Sequence, residues 1–310
     1  MRIDSVIGGL SRLKIDSALR RILQKSTQTR KSRILTSVGP TEYFNPQKGI
    51  EQGDPLSPII WNIFYDEVLT SLNEISGYNF EGYNVSYMAY ADDLVIISES
   101  QETAILMLQI VNDFLISHKL EIQPKKTIQI SNFTTDSLSV KLLNNEIQEL
   151  TVLDRHADFT YLGATFNLKI KNNCLNNITE NLKGITSKLK AKKISMCNAA
   201  YIFNCVIAPK LCYQLSGSNI QDNKTEEVEK CIRQYVKWLL KLPISFSTKC
   251  LHLSEYLFRI QNIADILCEQ EISTLFIHLH KRNLPGILLE NYLKALEKCH
   301  PIFTSPRYET

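Results

Sequence analysis

The chain has 310 residues, of which 44% are apolar and 22% charged, with 11 Gly and 10 Pro. That is ordinary globular composition, enough for about two domains, and it excludes collagen-like, mucin-like and wholly disordered classes. The net charge of +3 hides a segregated pattern: residues 1–40 hold 9 Lys/Arg against 2 Asp/Glu, residues 41–120 hold 2 against 12, and residues 181–250 hold 12 against 4. An acidic centre between two basic flanks suits a metal-dependent site working on a polyanion, although most charges on any chain only solvate a surface.

In chain order, residues 10–27 predict one helix, and Arg33 to Ser37 with Glu42 to Ile50 predict two strands around the turn Gly39-Pro40. Pro58 suits a first helical turn and opens a helix to about Ile75. Val85 to Tyr90 and Leu94 to Ser98 predict two strands close together. An amphipathic helix from Gln101 to Lys119 follows, with Ala104, Leu108, Val111 and Leu115 on one face. Thr127 to Phe133 and the stretch from Leu138 to Gly163 are β-rich. Beyond them the pattern is helical, over about 174–194, 196–208, 223–241, 253–281 and 284–299. An α+β domain over residues 1–167 followed by a helical region over 168–310 is the predicted architecture.

Apolar stretches such as Ile194 to Pro209 are broken by Asn, Cys and Tyr, so no membrane span is expected. Nor does Met1-Arg2-Ile3-Asp4 read as the start of a secretory signal. The eight Cys fall after residue 170 without a C-x-x-C pair, which predicts reduced thiols in a core rather than a disulfide scaffold or zinc knuckle. His278, His280, Cys299 and His300 lack metal-ligand spacing and read as structural; Tyr235, Trp238 and Leu239 are spaced as core.

The informative feature is Tyr90-Ala91-Asp92-Asp93 between two apolar strands. Neighbouring side chains on a strand point to opposite faces, but a tight turn breaks that alternation and lets two adjacent carboxylates approach one site. Left uncompensated they repel; a hard divalent cation removes the repulsion, and Mg²⁺ prefers oxygen ligands. Asp-Asp is also ordinary turn chemistry. Upstream, Gly49-Ile50-Glu51-Gln52-Gly53-Asp54-Pro55-Leu56-Ser57-Pro58 is a Gly- and Pro-rich turn feeding a helix. Its small residues and backbone amides admit the close approach of a nucleotide, or simply form a helix entry.

Together these segments resemble the reverse transcriptases of non-LTR (LINE-type) retrotransposons. Lys48 to Pro58 with Trp61-Asn62-Ile63-Phe64 is similar to the family's motif B, and Tyr90-Ala91-Asp92-Asp93-Leu94-Val95 to motif C. Leu120 to Thr127 resembles motif D, with Lys126 on its lysine, and Phe159-Thr160-Tyr161-Leu162-Gly163 resembles the segment near the primer grip. Group II intron maturases share Tyr-Ala-Asp-Asp, but their motif B usually carries Pro before the Gln; Glu51 stands there, which favours the retrotransposon branch. Asp4-Ser5-Val6 resembles the end of motif A, so the first catalytic aspartate of the family pattern is expected before Met1, as in an N-terminally truncated copy.

The resemblance implies a polymerase palm, an antiparallel sheet with helices, followed by a helical thumb-like domain. It implies RNA-directed DNA synthesis by two-metal nucleotidyl transfer to a primer 3′-OH, with Mg²⁺ or Mn²⁺ as cofactor. Asp92 and Asp93 are the implied metal ligands, Gln52 and Gly53 lie beside the templating base, and Lys126 assists the leaving pyrophosphate. Tyr161, Leu162 and Gly163 contact the primer. Lys183, Lys188, Lys190, Lys192 and Lys193, around the apolar stripe Ile178, Leu182, Ile185 and Leu189, meet duplex phosphates or form a solvated helix face. RNA template, DNA primer and dNTPs are the implied partners, and the implied location is intracellular, in the nucleus. Two alternatives stay open: a non-catalytic nucleic-acid-binding remnant, and a group II intron maturase-like protein.

Overall fold

A computed structural model describes residues 3–46, 49–80, 82–132, 136–166, 174–190, 192, 194–216, 222–252, 259–281 and 283–299. The chain divides into two compact units, Met1–Asp154 and Arg155–Thr310.

The first unit opens with α1 (Ile3–Arg12) and α2 (Ser17–Gln28) where the sequence predicts one helix. Lys14 takes φ +56° and Asp16 caps α2, its carboxylate accepting from the Ala18 N–H at 2.8 Å. Asp favours such a cap because its short side chain competes for backbone donors inside a helix. The two strands expected next shrink to β1 (Leu35–Thr36) and β2 (Gly39–Pro40), with a single bridge from Ser32 to Phe44; Glu42 to Ile50 is not a strand. Leu35 is 78% exposed and Val38 95%, so no buried face holds a longer register there.

Helix α3 (Ser57–Asn73) starts from a turn in which the Asp54 carboxylate accepts from the Leu56 N–H at 3.0 Å, with Pro58 in the first turn. Gly9 of α1 lies against it: a Cβ on Gly9 would sit 2.9 Å from the Ile63 carbonyl oxygen, which is what lets the two helices approach. Two hairpins follow, β3 (Tyr78–Phe80) with β4 (Tyr83–Val85), and β5 (Tyr87–Tyr90) with β6 (Asp93–Ile96). Then comes α4 (Gln101–Ser117), capped by Ser100. Beyond it, β7 (Ile128–Ile130), β8 (Ser139–Lys141), β9 (Ile147–Glu149) and β10 (Thr151–Leu153) pair as β8–β9 antiparallel and β7–β10 parallel. The core joins Phe64, Tyr65, Val68 and Leu72 of α3 to Met107, Val111 and Leu115 of α4, with Tyr87, Leu94 and Ile96 of the β5–β6 hairpin packed on it.

The second unit holds the hairpin β11 (Phe159–Tyr161) and β12 (Ala164–Phe166), packed on α7, and the helices. These are α5 (Cys174–Lys190), α6 (Met196–Ile202), a π-helical turn (Phe203–Ile207), α7 (Ala208–Ser216), α8 (Asp222–Leu239), α9 (Thr248–His252), α10 (Ile263–His280) and α11 (Leu284–Cys299). The helix predicted to end near 208 runs on to Ser216 past Pro209. The π turn supplies the slack: the Ala208 N–H reaches back to the Phe203 carbonyl, and Pro has no N–H to bond. The helix predicted over 253–281 starts at Ile263 instead, because Arg259 takes φ +49° and Asn262 caps α10; residues 253–258 lie outside the described residues. Leu182, Phe203, Ile207, Leu211, Val236 and Leu240 centre the core.

Two sequence expectations fail here. Trp238 is 44% exposed, because on α8 it lies well over a quarter turn from the stripe of Ile232, Val236, Leu239 and Leu240. Of the described cysteines only Cys212 is buried, while Cys197, Cys205 and Cys268 lie on exposed helix faces. All strand pairings among the described residues form two-stranded sheets, one of them parallel. The fold is mixed α+β, and no helix among the described residues is long and apolar enough to cross a membrane.

A carboxylate-bearing hairpin as candidate active site

The β5–β6 register pairs Tyr87 with Ile96, Met88 with Val95, Ala89 with Leu94 and Tyr90 with Asp93, leaving Ala91 and Asp92 as a two-residue loop. Paired residues share a face. Tyr87, Leu94 and Ile96 face the core, so the Tyr90/Asp93 pair lies on the opposite, open side. Asp92 sits in the turn itself. Both carboxylates are exposed, and no ion pair among the described residues engages either one.

The turn is tied down from outside the hairpin. Ala91 takes φ +52°, a region that L side chains enter only against steric resistance. Its carbonyl oxygen accepts a 2.7 Å hydrogen bond from Nε1 of Trp61 on α3. Trp61 stacks on Tyr65, one turn along the same helix, with ring centroids 5.4 Å apart and planes at 23°, and it also meets Phe64 at 5.6 Å. Burial pushes the Tyr65 phenol up to about 12, and the Asp92 charge raises it further in the same direction. Tyr65 and Asp92 are therefore electrostatic neighbours. The sequence reading assigns neither Trp61 nor Tyr65 a role in the site. The available signal is the aromatic run Trp61, Phe64, Tyr65 directly downstream of the Gly/Pro-rich turn.

The other candidates are placed as follows. Gln52 and Gly53 are exposed in the turn before α3, with Gly53 at φ +93°; Trp61 follows the helix start by four residues, about 6 Å of helix. Asp54 serves the turn, and Asp66 pairs with Arg12 of α1. Lys126 is exposed in the turn before β7, where its backbone N–H donates to the Gln123 carbonyl at 3.0 Å; no ion pair joins it to Asp92 or Asp93 among the described residues. In the second unit, Leu162 at φ +50° and Gly163 at φ +81° form the tight β11–β12 turn, and the Tyr213 hydroxyl of α7 donates to the Leu162 carbonyl. On α5, Leu182, Ile185 and Leu189 face the helical core while Lys183 and Lys188 are exposed, as is Lys192 beyond the helix. Lys193 and the side chains of Ile178 and Lys190 lie outside the described residues.

Residues 10–166, which contain the hairpin, α3 and the turn before it, match the family described as reverse transcriptase (RNA-dependent DNA polymerase). The chain belongs to the reverse transcriptase family. Among its relatives are Retrovirus-related Pol polyproteins of R2 retrotransposable elements. The Nasonia vitripennis protein, from a type-1 element, is 24% identical over 249 residues, covering 77% of this chain and 24% of the relative. That of Drosophila melanogaster, from the type-2 element R2DM, is 25% identical over 217 residues, 68% of this chain and 20% of the relative. A Popillia japonica protein of type 1 is 26% identical over 258 residues, 80% of this chain and 35% of the relative. The alignments thus span between 20% and 35% of the lengths of these three relatives.

The reverse transcriptase family generally uses divalent metal ions. The donor chemistry of this hairpin fits one: two adjacent, exposed, acceptor-only carboxylates suit a hard cation whose remaining ligands are water or substrate oxygens. No group of three or more His, Cys, Asp or Glu side chains able to hold a metal gathers among the described residues.

Proposed function

We propose that this chain carries the palm (1–167) and thumb-like (168–310) parts of a retrotransposon's RNA-directed DNA polymerase. RNA template, DNA primer and dNTPs are its substrates. Asp92 and Asp93 hold Mg²⁺ or Mn²⁺, which when bound lowers the pKa of the primer 3′-OH and neutralises charge on the departing pyrophosphate. The observation that carries the reading is the hairpin tip: two exposed carboxylates, unpaired among the described residues, on a turn bonded to the helix that follows the Gly/Pro-rich loop.

Around that tip the other residues take supporting parts. Gln52 and Gly53 lie beside the templating base, and Gly53, at φ +93° with no side chain, leaves room for it. Lys126 presents positive charge to the leaving pyrophosphate. Tyr161, Leu162 and Gly163 contact the primer strand, and Lys183, Lys188, Lys190, Lys192 and Lys193 meet duplex phosphates. This work belongs inside the cell, in the nucleus, where DNA primers are found.

The test is affinity cleavage. Fe²⁺ takes the place of Mg²⁺ on the chain bound to an RNA–DNA template–primer, and ascorbate with peroxide generates hydroxyl radicals at the metal. Cutting confined to the nucleotides nearest the primer 3′ end, and lost in Asp92→Asn/Asp93→Asn, supports the reading. Cutting spread along the duplex, or unchanged in the double variant, overturns it.

A further inference from the structure

The geometry points to Trp61 as the positioning residue of the carboxylate turn: its indole N–H, donated to the Ala91 carbonyl, holds Asp92 and Asp93 in the presentation a divalent cation requires. The inference rests on the metal role proposed for the two aspartates and adds the device that orients them.

Three observations converge on Trp61. Ala91 sits at φ +52°, and alanine has no polar side chain with which to stabilise that conformation locally, as Asn or Asp would. The hairpin alone supplies pairing on either side of the loop, ending at Tyr90 and Asp93, so nothing within it bonds the loop carbonyl. The bond comes instead from α3, at 2.7 Å, across thirty residues of sequence.

Trp61 is itself immobilised. It stacks on Tyr65 at 5.4 Å and tilts against Phe64 at 5.6 Å, and both of those rings are buried in the core of α3 and α4. A fixed donor on a packed helix therefore sets the height and tilt of the loop's first peptide, and Asp92 is the next residue. A benzene ring at position 61 would fill much of the same space and donate nothing. The pair also spans the two segments that this reading needs together, since α3 grows directly out of the turn bearing Gln52 and Gly53.

The experiment measures Mn²⁺ affinity of the 310-residue chain by electron paramagnetic resonance of the free ion, at a temperature far below the melting midpoint. Four proteins are compared: wild type, Asp92→Asn/Asp93→Asn, Trp61→Phe, and a chain with 3-benzothienylalanine at position 61 in a Trp238→Phe background, with Trp238→Phe alone as its reference. The isostere keeps the bicyclic shape and replaces only the N–H by sulfur. Amide exchange at Ala91 and Asp92 is followed in each.

Losing one hydrogen bond of this kind should weaken Mn²⁺ binding by about fivefold in both Trp61 variants. Faster exchange at Ala91 and Asp92 should accompany it, with the melting midpoint of the isostere chain within about 2 °C of its reference. Unchanged Mn²⁺ affinity in the isostere chain, with the double aspartate variant losing its binding, would overturn the positioning role and leave the metal reading standing. Mn²⁺ affinity unchanged in the double aspartate variant would instead remove the metal reading itself.

Discussion

Leu72→Ala should lower the melting midpoint of the first unit by roughly 6–12 °C, which follows from its place in the core. Leu72 is 0% exposed on α3 and belongs to the cluster with Phe64, Val68, Met107 and Val111. Truncation removes buried carbons and leaves a cavity, and buried Leu→Ala changes cost about 3 kcal/mol within a range of roughly 2–5. Collapse into the void is limited, because α3 is already pressed on its other side by α1 through Gly9, with 2.9 Å between a would-be Cβ and the Ile63 carbonyl oxygen. In a unit of this size each kcal/mol moves the midpoint by about 2–4 °C. The chain has two tryptophans, Trp61 in the first unit and Trp238 in the second. A Trp238→Phe background therefore leaves Trp61 fluorescence to report the unit in question, and Leu72 is not among its ring contacts. A shift under about 3 °C would show that the α3–α4 contact is loose enough to close over the loss and would refute the packing described here.

Tyr65 should remain protonated well past pH 10, since burial first and the Asp92 charge second raise its phenol to about 12. The stability that neutral Tyr65 contributes is whole below pH 10 and drains away as pH rises through about 12; Asp92→Asn should move the Tyr65 midpoint down, and an unmoved ¹³Cζ titration would separate the two residues. Gln at Lys183, Lys188, Lys190, Lys192 and Lys193 together should flatten the dependence of RNA–DNA duplex affinity on salt, and an unchanged slope would remove the thumb assignment. With Asp92 and Asp93 as its only carboxylates at the tip, the 310-residue chain should hold Mn²⁺ at millimolar affinity or weaker and extend an RNA-templated primer no faster than background. Robust synthesis abolished by Asp92→Ala would show that another acid completes the site.

The carboxylate hairpin was legible because its signals are local: two apolar strands, a gap of three residues between them, and acids at the gap. Helices α3 and α4 were legible for the same reason, through Pro58 and the stripe of Leu108, Val111 and Leu115. The break between α1 and α2 depends on one capping carboxylate, Asp16, inside an otherwise helical pattern, and periodicity passes over it. Trp61 and Tyr65 were not legible as parts of the site. Aromatic residues four apart on an apolar helix read as core, and the partner of the indole is a backbone carbonyl that no sequence pattern marks. Trp238 failed in the opposite sense: an aromatic beside core residues was taken for one of them, although it is rotated away from their stripe.

The π-helical turn at Phe203–Ile207 has a consequence for how this region tolerates changes in length. Helix α6 buries Ala199 and Ala200, the turn buries Phe203 and Ile207, and α7 buries Ala208, Leu211, Cys212 and Leu215. The wide turn absorbs one extra residue, and so sets the rotational phase between the two flanking helices. Deleting a single residue there would regularise the backbone, yet it would swing α7 by about 100° about its axis. Leu211, Cys212 and Leu215 would leave the core, and Tyr213 would lose the Leu162 carbonyl at the β11–β12 turn. A one-codon deletion at this place is therefore a larger event than most substitutions, and an insertion four residues long, close to one whole helical turn, is the change in length the region would accommodate best.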